Sequence, residues 1–292
     1  MDNRPIGVFD SGVGGMTVLK ELRKKIPQES FVYLGDTKRF PYGNKSKETI
    51  MELTKNGMKF LKKQNVKMIV IACGTATSQA LEEVENLYSI PIIGVIEPTV
   101  DYIYKTNKKK IGVIATAGTI RSKGWERELL KRIRELDLQS IACPLLAPMV
   151  EEGWYANKIA KLAVKEYIKP FKNREVLILG CTHYPLLKEM IQKQIQEMLD
   201  HQSIIRTSDV VKKGIPKPYL IGKKVEVINL GTYVAQEVEK ILKKQNMLSQ
   251  DNSPRLQVYL TETEHKFNEV ASILLGENIE AKLVKEETEL LV

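Results

Sequence analysis

The chain repeats itself, and the repeat lands on its cysteines. Cys73 ends the run MIVIAC (68–73) and Cys181 ends EVLILGC (175–181). Both runs are apolar and β-branched, the pattern of a strand buried on both faces of a parallel sheet. A Thr follows each thiol within two residues, where the chain should turn toward a helix. Upstream, IGVFDSGVGG (6–15) and IGVIATAGTI (111–120) are also alike. The openings lie 111 − 6 = 105 residues apart and the cysteines 181 − 73 = 108. Two related α/β units are expected, each presenting a thiol at the carboxyl end of a strand to one shared site. That arrangement suits stereoinversion at carbon, because one group can remove a proton from one face while another delivers one to the opposite face.

Strand-like runs alternate with helical-period segments throughout, which reads as βαβ units. The expected strands are Ile6–Asp10, Phe31–Leu34, Met68–Cys73, Ile92–Val95, Ile111–Ala115, Ser140–Pro144, Val176–Cys181, Val225–Asn229, Leu256–Leu260 and Ala281–Val284. The fold class that follows is α/β, with two pseudosymmetric doubly wound domains, mainly parallel sheets and an active site in the cleft between them. A boundary is expected near Glu97–Pro98. The division is then 1–97 plus 211–292 for a discontinuous first domain and 98–210 for the second. Loops are short except Ser203–Lys224, which reads as an insertion.

At 292 residues there is length for two full cores. No run approaches the roughly 20 apolar residues of a membrane span, and no signal peptide is evident at the N-terminus. Three cysteines without a CxxC pair argue against disulfides or zinc and for a reducing, cytoplasmic setting. The net charge of +9 is spread over KELRKK, KGWERELLKRIRE and EVEKILKK, where acidic neighbours accompany the basic residues. That is the pattern of solvated helix faces. A nucleic-acid partner is not expected, although the field can steer an anionic substrate.

The chemistry should gather at strand carboxyl ends, where open α/β sheets bind ligands. DSGVGG (10–15) places glycines after the first strand, so backbone N–H groups can face an anion. Asp10 there either assists a neighbouring group or caps the turn. FPYGNKS (40–46) is a loop able to line a site. Thr75 and Thr77 accompany Cys73, and Thr182 and His183 accompany Cys181. Helix N-termini beyond each thiol are expected to lower its pKa from about 8.5 toward neutrality. His183 is a candidate acid/base or proton relay. Cys143, in ACPLLAP, reads as structural. No metal-ligand pattern is present.

Taken together, IGVFDSGVGG, YLGDTKRFPYG, ACGTAT, CPLLAPMVEEG and LGCTHYPLL resemble the glutamate racemase family, the cofactor-independent aspartate/glutamate racemases, in order and spacing. The resemblance implies racemisation of L-glutamate to D-glutamate for peptidoglycan synthesis and cell-wall biogenesis, without a cofactor, in a cytoplasmic homodimer. It implies Cys73 and Cys181 as the catalytic thiols, Cys73 acting on the D-substrate and Cys181 on the L-substrate. Asp10 would assist the first, Glu151 and His183 the second. Asp10, Ser11, Pro41, Tyr42, Gly43, Gly74, Thr75, Thr77, Thr182 and His183 would contact substrate.

One position departs from the family pattern: Gly74 stands where Asn usually follows the first thiol. The Ser203–Lys224 region also looks longer than usual. Three other readings stay open at this level. One is a racemase for aspartate or another acidic amino acid. Another is a binding or regulatory protein that has lost catalysis, and the last is a cysteine hydrolase using a Cys–His pair.

Overall fold

The computed structural model describes residues 1–212, 224–263 and 266–284. In chain order the elements are β1 (Ile6–Asp10), α1 (Met16–Lys25), β2 (Phe31–Gly35), α2 (Lys47–Lys63), β3 (Met68–Ile71), α3 (Gly74–Val84), β4 (Ile92–Gly94) and α4 (Ile96–Lys105). There follow β5 (Lys110–Ala115), α5 (Ala117–Arg121), α6 (Gly124–Arg132), β6 (Asp137–Ala142), α7 (Leu146–Glu151), α8 (Lys158–Ile168), β7 (Val176–Leu179) and α9 (Lys188–Lys212). The last described elements are β8 (Glu226–Ile228), α10 (Leu230–Lys244), β9 (Leu256–Leu260), α11 (Phe267–Leu275) and β10 (Ala281–Leu283).

Two sheets form, both wholly parallel. The first runs β10-β9-β2-β1-β3-β4 and the second β6-β5-β7-β8. The order β2-β1-β3-β4 is matched by β6-β5-β7-β8, so the repeat read from the cysteines is a repeat of strand permutation. Burial explains the sequence pattern. Strands β1, β2, β3 and β7 are buried at every residue, so continuous apolar runs replace the alternation of a half-solvated strand.

Sheet pairing corrects the expected division after residue 211. Strand β8 joins the second sheet, with Val176 opposite Glu226, because it is the counterpart of β4. The chain rejoins the first sheet only at β9, which pairs with β2. The boundary at Glu97–Pro98 falls inside helix α4, where proline is tolerated in the first turn. The expected loop from Ser203 is helical as far as Lys212, the end of α9. Residues 213–223 of that stretch lie outside the described residues.

Helices α4 and α10 carry the chain between the sheets and back. They pack together, with Tyr102 stacked on Tyr233 at a centroid separation of 4.0 Å and an interplanar angle of 22°. The basic helix faces are charge-paired as expected: Lys131 and Arg132 with Glu128, Lys240 with Glu237, and Lys243 with Glu239. Among the described residues no helix is long and apolar enough to cross a membrane.

Candidate active site

Strand ends of both sheets converge on one narrow cleft. Its lining includes Ser11, Phe40, Pro41, Tyr42, Gly43, Cys73, Gly74 and Thr75 from the first unit, and Thr116, Ala147, Gly180, Cys181, Thr182 and His183 from the second. The free space is about 20 Å³, on the order of one water molecule. The cleft is therefore closed, and both thiols are buried within it.

Cys73 is the N-cap of α3. Its thiol donates to Ser11 Oγ at 3.6 Å. The expectation of a pKa near neutrality does not hold for this thiol. Burial pushes Cys73 up to about 12, the negative charge of Asp10 pushes the same way, and the Ala76 N–H and Ser11 only partly offset them. Asp10 is itself fully buried, and burial raises its carboxyl to about 6 against the opposing pull of His183. Asp10 accepts from Gly12 N at 3.0 Å and from Thr182 Oγ1 at 3.2 Å.

Cys181 has a different partner. His183 Nδ1 lies 3.6 Å from its sulfur, and Nε2 lies 2.5 Å from Glu151 Oε1. Burial alone would lower the imidazole, but the Glu151 charge and the bonds to Cys181 and Glu151 prevail and hold His183 well above its ordinary value. A doubly protonated ring donates from both nitrogens, so one N–H faces the carboxylate and the other the sulfur. The long helix after Cys181, α9, opens only at Lys188, behind a short 3-10 turn, Tyr184–Leu187. The positive group beside this thiol is an imidazolium rather than a helix end.

The β1–α1 turn makes this contact possible. A Cβ on Gly14 would lie 2.5 Å from His183 Nδ1 and 2.6 Å from Thr182 Oγ1, so only glycine lets the first unit approach the second here. Val13 N donates to Glu151 Oε1 at 3.2 Å, and Thr17 Oγ1 donates to the Thr182 carbonyl at 2.9 Å. The GVGG segment thus braces the Glu151–His183 pair.

A family profile described as Asp/Glu/hydantoin racemase matches residues 16–207. The chain belongs to that racemase family. The glutamate racemase of Aquifex aeolicus is 39% identical over 283 residues, spanning 96% of this chain and 98% of that one. The crystal structure of the Francisella tularensis glutamate racemase in complex with D-glutamate superposes with a TM-score of 0.84 at 34% identity, covering 99% and 100% of the two chains. A Bacillus anthracis glutamate racemase gives 0.85 at 33% identity, covering 98% and 99%.

Most of the positions read from the sequence of this racemase meet at the cleft. Ser11, Pro41, Tyr42, Gly43, Cys73, Gly74, Thr75, Cys181, Thr182 and His183 line it. Asp10 and Glu151 stand one layer behind, bonded to Thr182 and His183. Thr77 does not reach it. Its hydroxyl donates to the Ile71 carbonyl at 3.0 Å and accepts from Val95 N, serving strand-end backbone groups that burial leaves without water. It lines instead a larger adjoining cavity of about 620 Å³ that contains neither thiol. Cys143 is buried in the second core, where its thiol donates to the Ile141 carbonyl at 3.8 Å.

Sequence reading missed Thr116. It caps α5 by accepting from Thr119 N, and its hydroxyl closes a triangle with Thr75 and Thr119 at 2.8, 2.9 and 3.1 Å. The signal was present: at the offset of 105, Thr116 is the counterpart of Ser11. Phe40 was missed as well; its ring sits 5.4 Å from the His183 ring.

Proposed function

We propose that this protein interconverts L- and D-glutamate by proton transfer between Cys73 and Cys181, without a cofactor. The observation that carries this reading is the pair of thiols on pseudosymmetric strand ends, lining one closed cleft with chemically different helpers. Glutamate as substrate follows the relatives, which are named glutamate racemases.

Starting from L-glutamate, Cys181 acts as thiolate beside the His183 imidazolium and removes the α-proton. The Cys73 thiol, held protonated by its high pKa, delivers its proton to the opposite face. In reverse, Cys73 is the base and Asp10 assists it. A thiolate whose conjugate acid is weak is a strong base, which suits a carbon acid as weak as an amino-acid α-carbon. The carbanionic intermediate gathers charge on the α-carboxylate. Ser11, Thr75, Thr116 and Thr182 supply hydroxyls in a site that excludes water. Rigid strand ends hold both thiols in place.

D-glutamate made this way supplies peptidoglycan synthesis, and free thiols fit a reducing cytoplasm. A homodimer fits the symmetry habits of soluble enzymes.

The test is incubation with L-glutamate in D2O without added cofactor, following optical rotation and α-deuteration. Racemisation with deuterium incorporation, lost in both Cys73→Ala and Cys181→Ala, is the expected result. Turnover of aspartate with none of glutamate overturns the substrate, and full racemisation in either variant overturns the mechanism.

A further inference from the structure

At Gly74 the first half of the cleft faces the backbone of the second with no side chain between them. A Cβ built on Gly74 would lie 2.5 Å from the Gly180 carbonyl oxygen and 3.5 Å from its carbon. The obstacle is backbone, which cannot swing aside like the end of a side chain.

Both loops are fastened to their own sheets. Gly180 N donates to the Ile114 carbonyl at 2.8 Å. A Cβ on Gly180 would meet Trp125 Nε1 at 2.9 Å and Ala115 Cβ at 3.1 Å, so this loop is hemmed in by α6 and the end of β5. On the other side, Ala72 N donates to the Phe9 carbonyl at 2.8 Å, and Thr77 N to the Cys73 carbonyl at 2.9 Å. Neither loop can retreat alone. Added bulk at position 74 is relieved only by moving one unit away from the other, which widens the gap between the strand ends bearing Cys73 and Cys181.

We propose that Gly74 is a positioning residue: its missing side chain is the clearance that lets the cleft close until both thiols reach one carbon atom. The proposal rests on the two-thiol reading above. It also accounts for the glycine at a position where the family pattern has Asn, since in this chain the space for a side chain is occupied by the Gly180 carbonyl. Inversion needs two groups aligned on opposite faces of one atom, and a misplacement of about 1 Å costs on the order of 100-fold in rate.

The experiment compares wild type with Gly74→Ala and Gly74→Asn by two readouts. The first is steady-state racemisation of glutamate, where kcat should fall about 10- to 100-fold in Gly74→Ala and further in Gly74→Asn, with a smaller change in KM. The second is alkylation by iodoacetamide, mapped by peptide mass. Cys73 and Cys181 should label several-fold faster in the variants because the cleft stands ajar, while Cys143, buried in a core, stays unlabelled. Wild-type labelling rates in both variants overturn the proposal, and so does unchanged kcat beside faster labelling. Labelling of Cys143 also overturns it, since the added group is then met by loss of the core rather than by cleft opening. If wild type shows no turnover of glutamate, the functional reading fails, while the labelling arm still decides whether Gly74 governs closure.

Discussion

Thr182 Oγ1 donates to Asp10 Oδ1 at 3.2 Å, so the residue after one thiol is tied to the carboxylate that serves the other. The bond crosses between the two sheets. It joins the carboxyl end of β1 to the turn after β7, and the two proton-transfer arms therefore share one buried electrostatic field.

Asp10 should govern the acid side of the pH profile. Burial raises its carboxyl to about 6, so the assisting carboxylate is lost as the pH falls through that value. A limb of kcat/KM near pH 6 is expected, absent in Asp10→Asn, whose rate lies about 10²- to 10⁴-fold lower at neutral pH. The sign for stability is opposite. A carboxyl raised in the folded state favours folding below its unfolded value of about 3.9, and that contribution is lost as pH rises through about 6. Relative to Asp10→Asn, the wild type should thus lose stability between pH 4 and 6, as measured by urea unfolding across that range. A pH-independent difference would refute the assignment.

Glu151→Gln removes the charge that keeps His183 protonated. Enantiomers have equal free energy, so kcat/KM must fall by the same factor in both directions. The asymmetry appears elsewhere. Proton transfer at Cys181 becomes more rate-limiting, so the α-deuterium isotope effect should rise more with L-glutamate as substrate than with D-glutamate. An isotope effect rising equally from both sides would mean that Glu151 serves both thiols.

Strands β1, β2, β3 and β7 were legible because burial on both faces leaves an uninterrupted apolar run, and the repeat was legible because β1 and β5 share one environment. Helices α4 and α7 were not. IEPTVDYIYK and LAPMVE each hold a proline and few turns, and only packing makes them helical. The Cys73 thiol was misjudged because helix ends can be read from sequence and desolvation cannot. Strand β8 was misassigned because EVI carries no mark of which sheet it will join. The contact between Gly74 and Gly180 spans two units, and no local pattern encodes that distance.

Thr116→Val keeps the volume of the side chain and removes one hydroxyl from the triangle with Thr75 and Thr119. KM for glutamate should rise up to about tenfold, in keeping with about 0.5–1.5 kcal/mol for a hydrogen bond. The lost cap on α5 costs about 1 kcal/mol of stability as well. Measuring both is informative. A stability loss with unchanged KM would make Thr116 a cap and nothing more.

Lys67 and Glu29 form a fully buried ion pair with Nζ to Oε2 at 2.6 Å. The ammonium also donates to the Asp2 carbonyl at 2.6 Å and the Met247 carbonyl at 2.7 Å, while Glu29 Oε1 accepts from Ser249 N at 2.8 Å. The pair thereby fastens the segment that returns from α10 to β9 against the start of the chain. Removing one partner leaves the other charged and dry, at a cost of about 3–5 kcal/mol. Lys67→Met should therefore lower the denaturation midpoint sharply, and Glu29→Gln similarly. Replacing both with Met and Leu should recover much of that loss, because the desolvation penalty disappears together with the attraction. The pair lies outside the cleft lining, so kcat of the folded fraction should stay at the wild-type value in each variant. A double variant no more stable than either single one would show that the three carbonyl and amide contacts, rather than the charge pair, hold this segment.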